Sequence, residues 1–148
     1  GNAQIFGSTE RFIGSWIAKI GASEREKLVV ATKIAGQNRG MEYIRQPLDF
    51  SKKSITEAVE LSLKNLQTDY IDLYQIHWPD PTTPQHEVAE TLKKMLDSGK
   101  VGALGLSNYN ITQILEFQEI VQVKALQFPF NIFCYLIFEY VICQYKKT

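Results

Sequence analysis

Four apolar segments of this chain end in a polar residue of a kind that does chemistry: 28–32 runs into Lys33, 70–76 into His77, 101–106 into Ser107 and Asn108, and 123–126 into Gln127. Stretches with helical periodicity lie between them. A helical connection carries the chain back to the starting edge of a sheet, so strands alternating with helices are held parallel. All four polar ends then share one rim. In barrels of alternating strands and helices, that rim is where the chemistry is done.

The alternation can be followed residue by residue. Ser8 or Thr9 is placed to cap a helix with Ile13, Trp16, Ile17 and Ile20 on one face, and Gly21 closes it. Trp16 and the aliphatic residues of the helices are expected in the core. A strand over 28–34 leads into a polar connection, 35–50, containing Gly36, Gly40 and Pro47. Ser51 then caps a helix that buries Ile55, Val59, Leu63 and Leu66. Pro79, Pro81 and Pro84 exclude a helix directly after His77, and Val88, Leu92, Met95 and Leu96 mark one that ends at Gly99. Asn108 or Asn110 caps the next, which runs through Ile111, Ile114, Leu115 and Val121, and the last strand carries Ala125, Leu126 and Phe128. The expected fold is α/β, with about four parallel strands and alternating helices.

Composition narrows the function classes. With 148 residues, 45% of them hydrophobic, the chain can bury one moderate core. Sixteen basic and sixteen acidic residues balance to zero charge, which removes the electrostatic case for a nucleic-acid partner. The two cysteines, Cys134 and Cys143, fit neither a metal-ligand spacing nor a disulfide framework, so a reduced, cytoplasmic setting and no metal site are expected. The most apolar stretch, 132–143, is interrupted by Glu139 and is shorter than the roughly twenty residues that span a bilayer. Neither a leader nor a membrane anchor is expected.

Three blocks carry a family resemblance. Glu26 through Lys33, Leu66 through His77, and Gly99 through Asn108 resemble, in order, the third-, fourth- and fifth-strand signatures of the aldo-keto reductases. These are (β/α)8 TIM barrels that move a hydride from NADPH to a small carbonyl substrate. The resemblance covers 8 to about 131 and implies a partial barrel, truncated at both ends, over 1–131. The apolar, aromatic tail 132–148 does not resemble the family's continuation. By resemblance, Lys33 and His77 match two members of the catalytic tetrad, and Ser107, Asn108 and Gln127 match residues that hold the nicotinamide carboxamide.

The chemistry explains these residue types. A hydride arriving on a carbonyl carbon leaves an alkoxide, so a proton donor and a positive or hydrogen-bonding neighbour are needed. In the family a tyrosine gives the proton, an adjacent lysine lowers its pKa, an aspartate holds the lysine, and the histidine orients the carbonyl. A carboxamide needs one donor and one acceptor, which Ser, Asn and Gln side chains supply.

The departures lie at the ends. On an ungapped reading Gly1 takes the aspartate position and Phe6 the position at or near the family tyrosine. With an insertion, the tyrosine would instead lie before Gly1. Phenylalanine has no proton to give, and loss of general acid catalysis removes on the order of 10²–10⁴ in rate. The family's cofactor-phosphate residues follow the sixth strand, and no match to them is found. Weak or absent reductase activity and doubtful NADPH binding are therefore expected. The alternative is a non-catalytic half-barrel that self-associates, as a homodimer, through open sheet edges.

Bland readings stand beside these. Lys33 taken alone is a solvated strand-end lysine, His77 a structural histidine, and Ser107-Asn108 a helix cap. His86 reads as surface. Gly102 and Gly105 fall inside a strand and make no dinucleotide fingerprint.

Overall fold

The computed structural model describes residues 7–35 and 50–129; Gly1, Phe6, the connection 36–49 and the tail 132–148 lie outside the described residues. In chain order the elements are α1 (Ser8–Ile20), α2 (Ala22–Arg25), β1 (Ala31–Ile34), α3 (Lys52–Leu66), β2 (Ile71–Ile76), α4 (Gln85–Asp97), β3 (Val101–Ser107), α5 (Ile111–Gln118) and β4 (Val123–Gln127). The strands form one sheet in the order β1-β2-β3-β4, every pairing parallel. The expected strand–helix alternation is therefore present, and α2 is an addition to it.

One face of the sheet carries the core. Ile34, Tyr74, Ile76, Leu104, Leu106 and Val123 are buried together with Ile55, Val59, Leu63 and Leu66 of α3, Val88 and Leu92 of α4, and Ile114 and Phe117 of α5. Each such aliphatic contributes about 1.5–3 kcal/mol relative to an exposed position. Local chemistry fixes where the helices begin. The Ser51 hydroxyl accepts from the Ser54 N–H at α3. At α5, Asn110 and Gln113 close a reciprocal capping box. Among the described residues no helix is long and apolar enough to cross a membrane.

Several local expectations are corrected. The N-cap of α1 is Gly7 at φ 69, with no side-chain capping bond from Ser8 or Thr9. Tertiary contacts hold that helix start instead: Glu10 in its first turn accepts from the Thr32 hydroxyl at 2.7 Å and from Asn65 Nδ2 at 3.1 Å. Trp16 is 49% exposed rather than core, and Phe12 is 79% exposed. The contact between α1 and α3 is centred on Gly14 and Ile17 instead. A Cβ at Gly14 would fall 2.1 Å from the Asn65 carbonyl oxygen, so this close approach sets the rotation of α1 and turns Phe12 and Trp16 outward. Leu115 is also exposed, on the outer flank of α5.

The first strand is shorter than expected, starting at Ala31 and not at residue 28. The polar groups before it are engaged elsewhere. Arg25 Nη1 donates to the Leu28 carbonyl at 3.1 Å, and the Val30 N–H donates to Asp72 Oδ2 at 2.9 Å. Arg25 also pairs with Asp72 at 2.7 Å, donates to the Tyr70 carbonyl at 3.1 Å and lies 4.2 Å over the Tyr70 ring. This clamp closes the end of the sheet where β2 begins.

Candidate active site

The parallel register decides which side chains share a face. Lys33 pairs with Gln75, Gln75 with Gly105, and Gly105 with Ala125. One position past the Ile76–Leu106 pair, His77 lies level with Ser107, which pairs with Gln127. Side chains alternate along a strand, so these residues look to one side of the sheet and the apolar core lies on the other. The face mixes apolar and polar side chains: Ala31, Leu73 and Ala103 pair in register, and Ala125 stands among Lys33, Gln75, Ser107 and Gln127. Toward the strand ends it supplies hydrogen-bonding groups.

Gln75 belongs to this face, and the sequence pattern does not single it out. It is buried, and a Cβ at Gly105 would come within 2.8 Å of its Cγ. Its Nε2 donates to Gln127 Oε1 at 3.5 Å. Its place two residues before His77 on a strand was the one signal available.

At the rim, the His77 N–H donates to the Ile34 carbonyl at 3.0 Å and continues the ladder past the strand. The Asn108 N–H donates to the Gln127 carbonyl at 3.1 Å. Asn108 takes φ 62, and its Nδ2 donates to the His77 carbonyl at 2.8 Å and to Ser107 Oγ at 3.0 Å. Because Asn110 caps α5, neither Ser107 nor Asn108 serves as its cap. Lys33 and His77 are half-buried, and among the described residues Lys33 has no ion-pair partner. Trp78 is 43% exposed, its ring tilted 46° to His77 at a centroid distance of 6.0 Å.

Behind the rim, Asp80 is a buried carboxylate with four donors. The Thr82 N–H and hydroxyl reach Oδ1 at 2.9 and 2.7 Å, and the Thr83 hydroxyl and Phe50 N–H reach Oδ2 at 2.6 and 3.1 Å. Burial raises its pKa, but the donors together lower it by more, so the carboxyl lies below its usual value. Asp80 thereby ties Phe50, just before α3, to the loop after His77. No sequence motif marked it.

Tyr74 in β2 and Tyr109 just before α5 carry buried hydroxyls. Burial drives the pKa of Tyr74 upward, and burial together with the Asp80 charge does the same for Tyr109. Both belong to the buried core, and Tyr109 stacks edge-on against Phe117 at 5.7 Å. A raised pKa is the reverse of what a lysine-assisted acid requires. Among the described residues no cluster of His, Cys, Asp or Glu is arranged to hold a metal ion.

A sequence model of the aldo/keto reductase family matches residues 2–142, extending beyond both Ser8 and Asn131. The aldo-keto reductase YhdN of Bacillus subtilis is 41% identical over 128 residues, covering 86% of this chain and 37% of its own length. The aldo-keto reductase yakc [NADP(+)] of Schizosaccharomyces pombe is 33% identical over 128 residues, covering 86% and 37%. Among solved structures, the glycerol dehydrogenase AKR11B4 from Gluconobacter oxydans superposes with a TM-score of 0.81 at 34% identity, over 96% of this chain and 43% of that one. The chain thus spans about two fifths of the length of the proteins it matches, and its sheet corresponds to part of their barrel. A family match across nearly the whole sequence and the same parallel strand–helix order in space agree: the chain belongs to the aldo/keto reductase family.

Proposed function

We propose that this chain carries the nicotinamide-side rim of a carbonyl reductase, in which Lys33 and His77 face the substrate oxygen and Ser107, Asn108 and Gln127 face the carboxamide of NADPH. The observation that carries the reading is the register: Lys33, Gln75, His77, Ser107 and Gln127 share one face at one end of a parallel sheet. The donor set suits the group. The Ser107 hydroxyl, Asn108 Oδ1 and Gln127 Nε2 offer acceptors and a donor to a primary amide, and Gly105 and Ala125, one pair before Ser107 and Gln127 on the same face, are small. NADPH, when bound, supplies the hydride.

The chain's own residues would then manage charge. As a small aldehyde or ketone is reduced, negative charge grows on its oxygen. The Lys33 ammonium offsets that charge, and the His77 imidazole fixes the oxygen by a hydrogen bond. Proton delivery would be the weak step on the ungapped reading, in which Phe6 takes the position at or near the family tyrosine; with an insertion that tyrosine lies before Gly1. Turnover should accordingly be low, with Lys33, His77 or a bound water as the acid. A reduced, cytoplasmic setting suits such a cofactor.

NADPH titration followed through Trp78 emission tests the reading, with Trp16→Phe removing the other indole. A micromolar dissociation constant that weakens in Gln127→Ala supports it, and no response at millimolar NADPH sinks it. A second reading is a self-associating half-barrel without catalysis. It is favoured by β1 and β4 each pairing on one side only among the described residues. Sedimentation across a hundredfold range of concentration distinguishes the two, since a constant monomer rejects self-association.

A further inference from the structure

We propose that Asn108 is a positioning residue: its side chain fastens the His77 end of β2 to the Ser107–Gln127 end of β3 and β4, so that the rim holds one shape. Its use in catalysis rests on the carbonyl-reductase reading above, while the geometric claim does not. Three observations converge on it. Asn108 is one of two non-glycine residues with positive φ among the described residues, and Asn is among the few side chains that tolerate that conformation. The conformation sends its amide back across the sheet, where Nδ2 meets the His77 carbonyl at 2.8 Å and Ser107 Oγ at 3.0 Å. Its backbone N–H meanwhile reaches the Gln127 carbonyl at 3.1 Å.

Both protons of the side-chain amide are therefore engaged by the protein. A cofactor carboxamide meeting Asn108 would find only the acceptor Oδ1, and must obtain the donor to its own oxygen from Ser107 or Gln127 instead. Asn108 thus acts on His77 rather than on the reacting atoms. The sequence spacing hides this, because His77 and Asn108 are 31 positions apart and meet only through the pairing of β2 with β3.

The histidines make the test direct, since the chain has only two, His77 at the rim and His86 exposed at the start of α4. Asn108→Gly keeps the positive φ without strain and removes the clip. It should shift the His77 ring signals in heteronuclear NMR and leave those of His86 in place, and Asn108→Asp, which lacks the donor, should shift them too. Ser107→Ala, which spares the bond to the His77 carbonyl, should not. Unchanged His77 signals in a folded Asn108→Gly chain, with NADPH affinity alone reduced, would overturn the proposal in favour of a direct ligand role. If the variants do not fold, the wild-type Asn108 side-chain amide decides. Slow exchange of its protons with solvent supports the clip, and exchange as fast as in a free asparagine refutes it. Failure of the wild-type chain to bind NADPH would sink the reductase reading and leave these signals to judge the clip separately.

Discussion

The two ends of the same strands are built on opposite principles. Where β2 begins, Arg25 is buried at 5% exposure and meets a carboxylate, two carbonyls and an aromatic ring. At the opposite end, Lys33 near the end of β1 is half-buried with no ion-pair partner among the described residues, and the chain leaves β3 at Asn108 with a positive φ. A buried cation surrounded by partners serves stability, since removing one partner leaves an uncompensated charge. The contrast matches the division of barrels of this type into a stabilising bottom and a reactive top.

Removing the clamp should have the largest effect. Arg25→Met leaves Asp72 without its ion pair and frees the Leu28 and Tyr70 carbonyls, at a cost of about 3 kcal/mol in urea unfolding. That is the lower end for such a loss, because the Asp72 side chain stays 23% exposed and keeps the Val30 N–H. A cost under about 1 kcal/mol would show that the clamp is no more than a surface pair.

Asp80 comes next, a buried carboxylate with four donors behind the rim. Asp80→Asn should cost about 2 kcal/mol at neutral pH, since four hydrogen bonds lose their ionic acceptor. The folded carboxyl titrates below the ordinary 3.8. Its contribution is therefore present above pH 3.8 and lost as pH falls through the lower folded value. Urea midpoints of the wild type should drop in acid more steeply than those of Asp80→Asn, and parallel curves would reject the role.

A smaller effect of opposite sign is expected behind the rim. The Tyr109 hydroxyl is buried without a hydrogen-bond partner among the described residues, so Tyr109→Phe should be neutral or stabilising by up to about 1 kcal/mol in thermal unfolding. A loss beyond that would reveal a partner for the hydroxyl. Lys33→Met should change stability least, within about 0.5 kcal/mol, while abolishing any NADPH-dependent reduction of a test aldehyde. Turnover that survives the substitution would place the activity elsewhere.

The residue order alone determined the alternation of strands and helices, the breaks at Gly21, Gly99 and the proline cluster after His77, and the four polar strand ends. These are local signals, because period, caps and turn residues act within a few positions. The α3 face of Ile55, Val59, Leu63 and Leu66 was legible for the same reason, as one helical stripe buried against one sheet. Trp16 leaves the core its helical stripe predicts because the rotation of α1 is set by Gly14 closing on Asn65, a contact between residues 51 positions apart. Likewise, the segment before Ala31 has strand composition, but its polar groups are claimed by Arg25 and Asp72.

Only the tertiary structure decided how the rim is assembled. Parallel register placed Gln75 beside Gln127, turned Asn108 onto the His77 carbonyl, and set Asp80 against the Phe50 N–H. Such bonds join residues 30 or more positions apart, and no pattern in the linear sequence records which strands become neighbours or in what register. Composition and periodicity specify that a helix or strand forms; the hydrogen bonds between strands specify what it meets.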